Sequence, residues 1–498
     1  MEEKIKQAIE NIAKNLEVHK EYIRFDNTEQ IYIIEDYLNN KIIEIKKNIK
    51  FDNLIDYPLK FYYCDFLETV IGRNKTFKEK IIFEEVVFCK VVNFSFSIFD
   101  KNINFSNVKF EDKLYFDKCQ FKEKFEFFGI NNLKAEFNSS HFKKEVYFGK
   151  EITDKNVEKS NSFGSCSFEY ANFSNCHFKK EVYFKNNDFK QVFFRNSKFN
   201  NNIHFNNSIF KDYADFHECE FEKTANFYRV RFDKTPNFSQ AIFKGNLNVV
   251  NTNLNFTFDD LQERIKQEYE NFNKDIKEKE NKKPLDKFAN DFRDSFRTFK
   301  NALIKDNNLL DASNFHKYEL YCKEIELKNK KGKTFKDVVD RWQLLFYRKL
   351  CDHHTNLILN LKWFIVIVGF FTSILFGLRY GDGNLMQFFN KDSDLLKMLK
   401  NILNIKALND SNATYLILLY SFIGLFFVRT FFIFYYLVIF ILMLAISPYN
   451  LFTMINFAIR HETNSFLENI IIIIYTLSIV LIIFSLQKTA RKNSIVPS

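Results

Sequence analysis

Phenylalanine recurs through the middle of the chain at a spacing that suits neither a helix nor a flat strand. It stands at Phe77, Phe83, Phe88, Phe94, Phe99, Phe105, Phe110, Phe116, Phe121 and Phe127. After an interruption it resumes at Phe163, Phe168, Phe173 and Phe178 and continues to Phe243. The steps are fives and sixes, mostly alternating, which makes a unit of eleven. Helix faces repeat at three and four, and strands at two. A step of five fits a chain that turns a corner every five residues and points one side chain inward each time. So short a period, sustained this long, predicts a solenoid.

A second register supports that reading. Two residues before each Phe that ends a five-step the side chain is mostly small, as at Ser97, Cys119, Ser140, Cys166, Cys176, Ser197, Ser208, Cys219 and Ala241. Before a Phe that ends a six-step it is mostly branched, as at Ile81, Val92, Ile103, Val146, Val182, Val192 and Ile203. Lys, Asn, Glu, Asp and Ser fill the positions between. Segments such as NFSNCHFKKEVYF and KFEDKLYFDKCQF resemble the pentapeptide-repeat family in its eleven-residue variant. That resemblance implies a right-handed quadrilateral β-helix with four faces per coil. The chain departs from the family's common pattern in having few Ala at the small position and no Leu ladder.

Coils of a β-helix rise by about 4.8 Å, so about seven coils would make a rod about 35 Å long. Its open ends need covers. Residues 1–56 are expected to supply one as a helical cap. Ile5, Ala8, Ile9, Ile12 and Leu16 form one helical stripe, and Ile31, Ile34, Tyr37, Leu38, Ile42 and Ile45 a second. The β-helix is expected over 57–258, starting near Tyr57, with a surface loop inserted at about 149–161. Residues 259–330 read as a charged linker followed by a helical hairpin. Leu285, Phe288, Phe292, Phe296, Phe299 and Leu303 step by three and four, as do Phe315, Tyr318, Cys322 and Ile325 beyond the DNN turn. The stretch FRDSFRTFKNALIKDNNLLDASNFHKYEL is similar to the helical segment that follows pentapeptide repeats in a group of bacterial membrane proteins.

Residues 331–352 read as an interfacial amphipathic helix on an anionic leaflet. Phe335, Val338, Val339, Trp342, Leu345, Phe346 and Leu350 are its apolar positions. Lys328, Lys330, Lys331, Lys333 and Lys336 precede or open it, and Arg341, Arg348 and Lys349 lie along it. Residues 353–498 read as a membrane domain with spans at about 357–378, 413–428, 431–447 and 469–486. Ala413 to Ile446 is 34 residues with one charge, Arg429. As a single helix it would be about 51 Å long against a hydrocarbon core of about 30 Å. Two arms with Arg429 near a cytoplasmic turn fit better, and three spans is the alternative. Lys488, Arg491 and Lys492 place the C-terminus in the cytoplasm.

Net charge is +10, which suits anionic lipid or nucleic acid. From Phe77 to Phe243, however, 26 Lys and Arg face 23 Asp and Glu. That balance makes a poor mimic of duplex DNA, so the gyrase-binding mode implied by some family members ranks third among functions. Cys64, Cys119, Cys166, Cys176 and Cys219 fall at the small register of the ladder and read as core, in a reducing compartment. Met1 to Tyr22 is charged throughout and carries no secretion signal.

No P-loop, GxGxxG, HExxH or GxSxG motif occurs. Adjacent His353 and His354 point about 100° apart on a helix and read as interfacial packing. His461–Glu462 lacks the second His of a zinc helix. Arg379-Tyr380-Gly381-Asp382 lacks the preceding elements of a potassium filter and reads as an outer turn. Arg429 is a functional candidate if it lies mid-membrane. The expectation is therefore a non-enzymatic protein of the bacterial cytoplasmic membrane, multi-pass, with its N-terminal domains and C-terminus in the cytoplasm. It has no catalytic, cofactor-binding or metal residues and needs no cofactor. Its partners are the lipid bilayer and a protein on the β-helix surface, with self-association open and no nucleic acid. The alternative is a channel-like or membrane-permeabilising effector gated or assembled by the β-helix.

Overall fold

In the computed structural model of the chain, residues 2–149, 165–274, 276, 282–380 and 466–490 are described. Phe163, the insertion beyond Gly149, the spans expected at 413–428 and 431–447, Arg429, His461–Glu462 and Gly381-Asp382 lie outside them. The chain divides into two compact units, Met1–Arg341 and Trp342–Ser498.

The first unit is built on a β-solenoid of about nine turns. Its corners follow from the five-residue steps. In the step from Phe94 to Phe99, Phe96 sits at φ 66°. Asn74, Lys118, Ser139, Asn175, Asn196, Glu218 and Gln240 hold the same left-handed place at that corner, and Glu85, Asn107, Asn186 and Asn207 at another. The residue after it bonds back across the turn, as Ser140 N does to Phe137 O at 3.1 Å and Ser197 N to Phe194 O at 3.0 Å. A left-handed third residue defines a type II turn, and Asn tolerates that conformation better than most side chains. The six-residue steps carry no left-handed residue among the described positions. Where a six contracts to five, at Phe168–Phe173 and Phe189–Phe194, the corner straightens into single strands, Ser167–Asn172 and Asp188–Phe193.

Successive coils pair in parallel and in register, so Phe83, Phe105 and Phe127 lie one above another. Among the described residues the faces form two eleven-stranded sheets, one of eight strands and one of four. Inside, the rings stack. Phe77 and Phe99 lie 4.7 Å apart at 3°, Phe178 and Phe199 4.9 Å at 4°, and Phe221 and Phe243 4.7 Å at 5°. Each ring buried this way contributes about 1.5–3 kcal/mol by transfer, and stacked pairs add about 0.5–1.5 kcal/mol. Packing is tight enough that a Cβ on Gly72 would meet Phe94 Cδ1 at 2.4 Å.

The sequence ladder undercounts the turns in two ways. Phe137, Phe142 and Phe148 fall in the gap of the Phe ladder, the last two behind Ser140 and Val146 of the second register, and all three join the columns, Phe142 stacking on Phe121 at 4.7 Å and on Phe178 at 4.8 Å. At the ends Ile45 and Leu254 stand where other coils have Phe, in register with Phe66 and Phe232.

The N-terminal cover is only partly helical, which corrects the expected helical cap. Helix α1, Glu2–Leu16, buries Ala8, Ile12, Ala13 and Leu16. The second stripe is not a helix. Ile23–Asp26 and Ile31–Ile34 form an antiparallel hairpin, and Ile31–Ile34 then pairs in parallel with the first coil. All of Ile31 to Ile34 is buried, whereas Tyr37, Leu38 and Ile42 are exposed. A β-branched run favours strand, and Asn40 at φ 50° turns the chain. Phe51 closes the aromatic column, 5.6 Å from Phe77 and 5.7 Å from Phe94.

At the other end, helix α2, Phe258–Asn273, occupies most of the charge-rich stretch, which the sequence leaves as helical or partly disordered. Phe258, Leu261, Ile265 and Glu268 are buried beneath its charges. It lies against the solenoid flank, where Arg264 stacks 3.8 Å over the Tyr213 ring. Arg195 pairs there with Asp215 at 3.1 Å and Glu268 at 3.7 Å. Helices α3, Leu285–Lys305, and α4, Leu309–Asn329, pack as a hairpin over the last coil. The Phe299 ring lies 4.8 Å from Phe238. The Tyr318 hydroxyl donates to Leu254 O at 2.9 Å.

Helix α5, Phe335–Cys351, leads from the first unit into the second. There helices α6, Leu357–Tyr380, and α7, Phe466–Ala490, pair. Leu350, Cys351 and Ile482 are buried together, with Tyr347, Phe364, Ile367 and Leu486 around them. Among the described residues one helix is long and apolar enough to cross a membrane by length and composition, over Asn469–Ala490. Leu357–Ile367 in α6 is a shorter apolar segment.

Candidate functional surfaces

The cysteines at the small register are structural. Each points inward, Cys64, Cys119, Cys176 and Cys219 just after a left-handed corner residue, and its thiol donates to a carbonyl one coil earlier. Cys119 Sγ reaches Phe94 O at 3.1 Å, Cys176 Sγ reaches Phe137 O at 2.9 Å, and Cys219 Sγ reaches Phe194 O at 2.9 Å. Serine at the same register does this and also accepts. Ser197 Oγ donates to Phe173 O at 2.6 Å and accepts from Cys176 N at 2.9 Å. Burial pushes the thiols of Cys64, Cys119 and Cys166 up to about 12, the reverse of what a nucleophile needs. Among the described residues no three His, Cys, Asp or Glu side chains are grouped to hold a metal ion.

Among the described residues two recesses stand out, one of about 800 Å³ beside α1, lined by Lys4, Asn11, Tyr57 and Glu79 among others, and one within the coils themselves. The four-stranded sheet runs through Ile43–Ile45, Cys64–Phe66 and Val87–Phe88 and stops at Lys109–Phe110. In the following coil the chain detours through Gly129, Ile130, Asn131 and Asn132, and Leu133 takes the column position held by Phe168 one coil later. Gly129 turns at φ 64°, and a Cβ there would meet Asn107 Oδ1 at 2.2 Å. The break leaves a cleft of about 660 Å³, lined by Asn107, Lys109, Glu111, Asp112, Asn131, Lys134 and Glu169 among others. Lys109 donates to Glu111 at 2.7 Å and Lys190 to Glu169 at 2.6 Å. Those bonds hold both carboxyls below their ordinary range. The wall thus carries charges of both signs, amides and the end of a sheet ladder.

A second feature lies at the elbow between α5 and α6. Asp352, His353 and His354 all adopt left-handed backbone, at φ 51°, 54° and 67°. Three such residues in a row, none of them glycine, store strain of the kind found at switch and binding sites. Both histidines are buried. His354 Nδ1 lies 3.3 Å from Ser485 Oγ, 3.4 Å from Thr489 Oγ1 and 3.5 Å from Cys351 Sγ. Asn360, fully buried, donates to Ser485 Oγ at 2.9 Å and lies 3.3 Å from Thr489 Oγ1. Its Oδ1 has no partner among the described residues. Burial pushes His354 down to about 4, and nearby Lys488 adds to this. The ring is therefore neutral at ordinary pH.

Sequence reasoning singled out His353 and His354 but missed Asn360, Ser485 and Thr489. The signal was available in polar residues set within apolar helical runs. The cleft had no signal of its own beyond the NN at 131–132 and the lone Gly129.

A family model of pentapeptide repeats, in nine copies, matches residues 163–220 and 205–253. With the turn geometry and stacked columns, this shows pentapeptide repeats in the β-solenoid. No curated protein and no solved structure gives a significant match.

Proposed function

We propose that the chain is a membrane-anchored scaffold, held by its apolar C-terminal helices, whose solenoid offers a docking surface to a protein partner and performs no catalysis. The observation that carries this reading is the cleft at Lys109–Phe110. It is a shaped recess within the coils, with mixed charge and a sheet end. Such a wall suits a polypeptide, whose backbone can pair with a strand end while its side chains meet Lys109, Lys134, Glu111 and Glu169. A phosphate-rich ligand would meet three carboxylates there.

The anchor reading draws on α7, on the apolar start of α6, and on Lys488 at the end of α7. It places the protein in the bacterial cytoplasmic membrane as a multi-pass chain with the solenoid on the cytoplasmic side. Site-specific photo-crosslinking in native membranes tests it. A crosslinker at Asn131 should capture a discrete partner, lost when Lys109 and Lys134 become Glu, while one at exposed Lys180 should not. Equal capture from both positions would remove the cleft from the account.

A permeability effector is the second reading, favoured by the polar seam of Asn360, Ser485 and Thr489 between two apolar helices. Dye or ion flux through liposomes carrying the full-length chain, set against Asn360→Leu, distinguishes it. Flux that depends on Asn360 would replace the scaffold reading.

A further inference from the structure

We infer that α5 is a lipid-docking helix that lies on the surface of an anionic leaflet through one bare apolar stripe, with Trp342 at the boundary between headgroups and acyl chains. This rests on the anchored reading and adds a second, peripheral membrane contact to it. The stripe is Phe335, Val338, Val339, Trp342 and Phe346, spaced by three and four along one helix face. Its members are exposed, Phe335 at 86% and Trp342 at 64%. A short apolar stripe left bare on a soluble surface is costly, whereas the interface accepts it.

Charge selects the occupant. At 100° per residue, Lys336 and Arg341 stand on the two shoulders of the stripe and Lys349 within its margin. Asp337 and Asp340 lie on the opposite face. Exposed Lys331 and Lys333 lie just before the first turn. Cations beside the apolar face and carboxylates away from it match a negatively charged headgroup layer. The first turn is fixed by Thr334, whose hydroxyl accepts from Asp337 N at 3.2 Å, and by Lys330, 2.9 Å from Asp337. The last turn is fixed by burial of Leu350 and Cys351. The helix therefore presents a preformed face.

The chain has two tryptophans, Trp342 and Trp363, so each can report alone. The full-length chain is reconstituted into phosphatidylcholine vesicles with and without phosphatidylglycerol, as Trp363→Phe and as Trp342→Phe. Trp342 fluorescence should be quenched about twofold by lipids brominated near the headgroup, and less by deeply brominated ones. The quenching should weaken with added salt or with Lys336→Glu and Arg341→Glu. Quenching of Trp363 without quenching of Trp342 overturns this inference and leaves the anchor standing. Loss of both, with the chain released from vesicles at alkaline pH, overturns the anchor as well. Equal quenching of Trp342 in neutral vesicles overturns the requirement for anionic lipid. Trp342 shielded from aqueous iodide yet untouched by bromolipids would assign the stripe to protein.

Discussion

The solenoid and the α6–α7 pair both bury polar groups, and they treat them differently. In the solenoid each buried hydroxyl or thiol at the small register has a carbonyl one coil away, as Ser197 has Phe173 O and Cys219 has Phe194 O. The geometry repeats because the type II turn repeats. In the helix pair one histidine nitrogen has three neighbours at 3.3–3.5 Å, and the Asn360 Oδ1 has none among the described residues. A satisfied network specifies a single structure, while a partly satisfied one leaves alternatives close in energy. The corners of the small register are therefore rigid supports, and change is expected at the cleft and at the strained elbow.

The largest expected break in this contrast is in the aromatic columns. Phe99→Ala should cost about 3–5 kcal/mol in denaturant unfolding, because stacked neighbours above and below cannot close the cavity. Phe110→Ala, beside the cleft, should cost less, about 2–3 kcal/mol, since water can enter there. Equal costs would mean that the column is not interrupted at Leu133.

Next in size is the ion cluster of the C-terminal cover. Burial alone would raise Glu319, but bonds from His316, Lys300 and Arg297 bring it down to about 2 from 4.5. A folded value below the unfolded one contributes stability above pH 4.5 that is lost as pH falls toward 2. The loss should be about 2–3 kcal/mol. Glu319→Gln should remove that acid limb from a stability–pH profile. An unchanged limb would place the acid sensitivity elsewhere.

Smaller still is the corner. Ser197→Ala strips partners from Phe173 O and Cys176 N and should cost about 1–2 kcal/mol. Ser197→Cys, which imitates Cys176 and Cys219, should cost under about 1 kcal/mol by the same melt. The smallest effect belongs to the elbow. Asn360→Leu should change stability in lipid by about 1 kcal/mol or less, in keeping with the modest value of hydrogen bonds between membrane helices. A loss above about 3 kcal/mol would show that Asn360 is fully satisfied and erase the contrast.

Much of the first unit was legible because Phe cannot occur every five or six residues for any other reason. The small and branched registers fell where the corners need them. What failed has physical causes. Ile31, Ile34, Tyr37, Leu38, Ile42 and Ile45 mimic a helical stripe only because a hairpin and a turn happen to space them so. In α2, Leu261 and Ile265 were hidden among charges, although their spacing of four was readable. The cleft arises from one glycine and a detour of coil path, which a periodic reading smooths over. The elbow depends on α7 meeting α6, more than a hundred residues apart in sequence, so His354 and Ser485 could not be joined in advance.

Amide hydrogen exchange on the intact chain in lipid tests the central contrast most directly. The corner amides of Cys176, Asn187 and Ser197 should exchange only through global unfolding. The amides of Asp352, His354 and Thr355 should open locally at a free energy lower by at least about 3 kcal/mol, the His354 amide resting on a weak sulfur acceptor at 3.2 Å. Corner and elbow amides protected to the same degree would contradict the account.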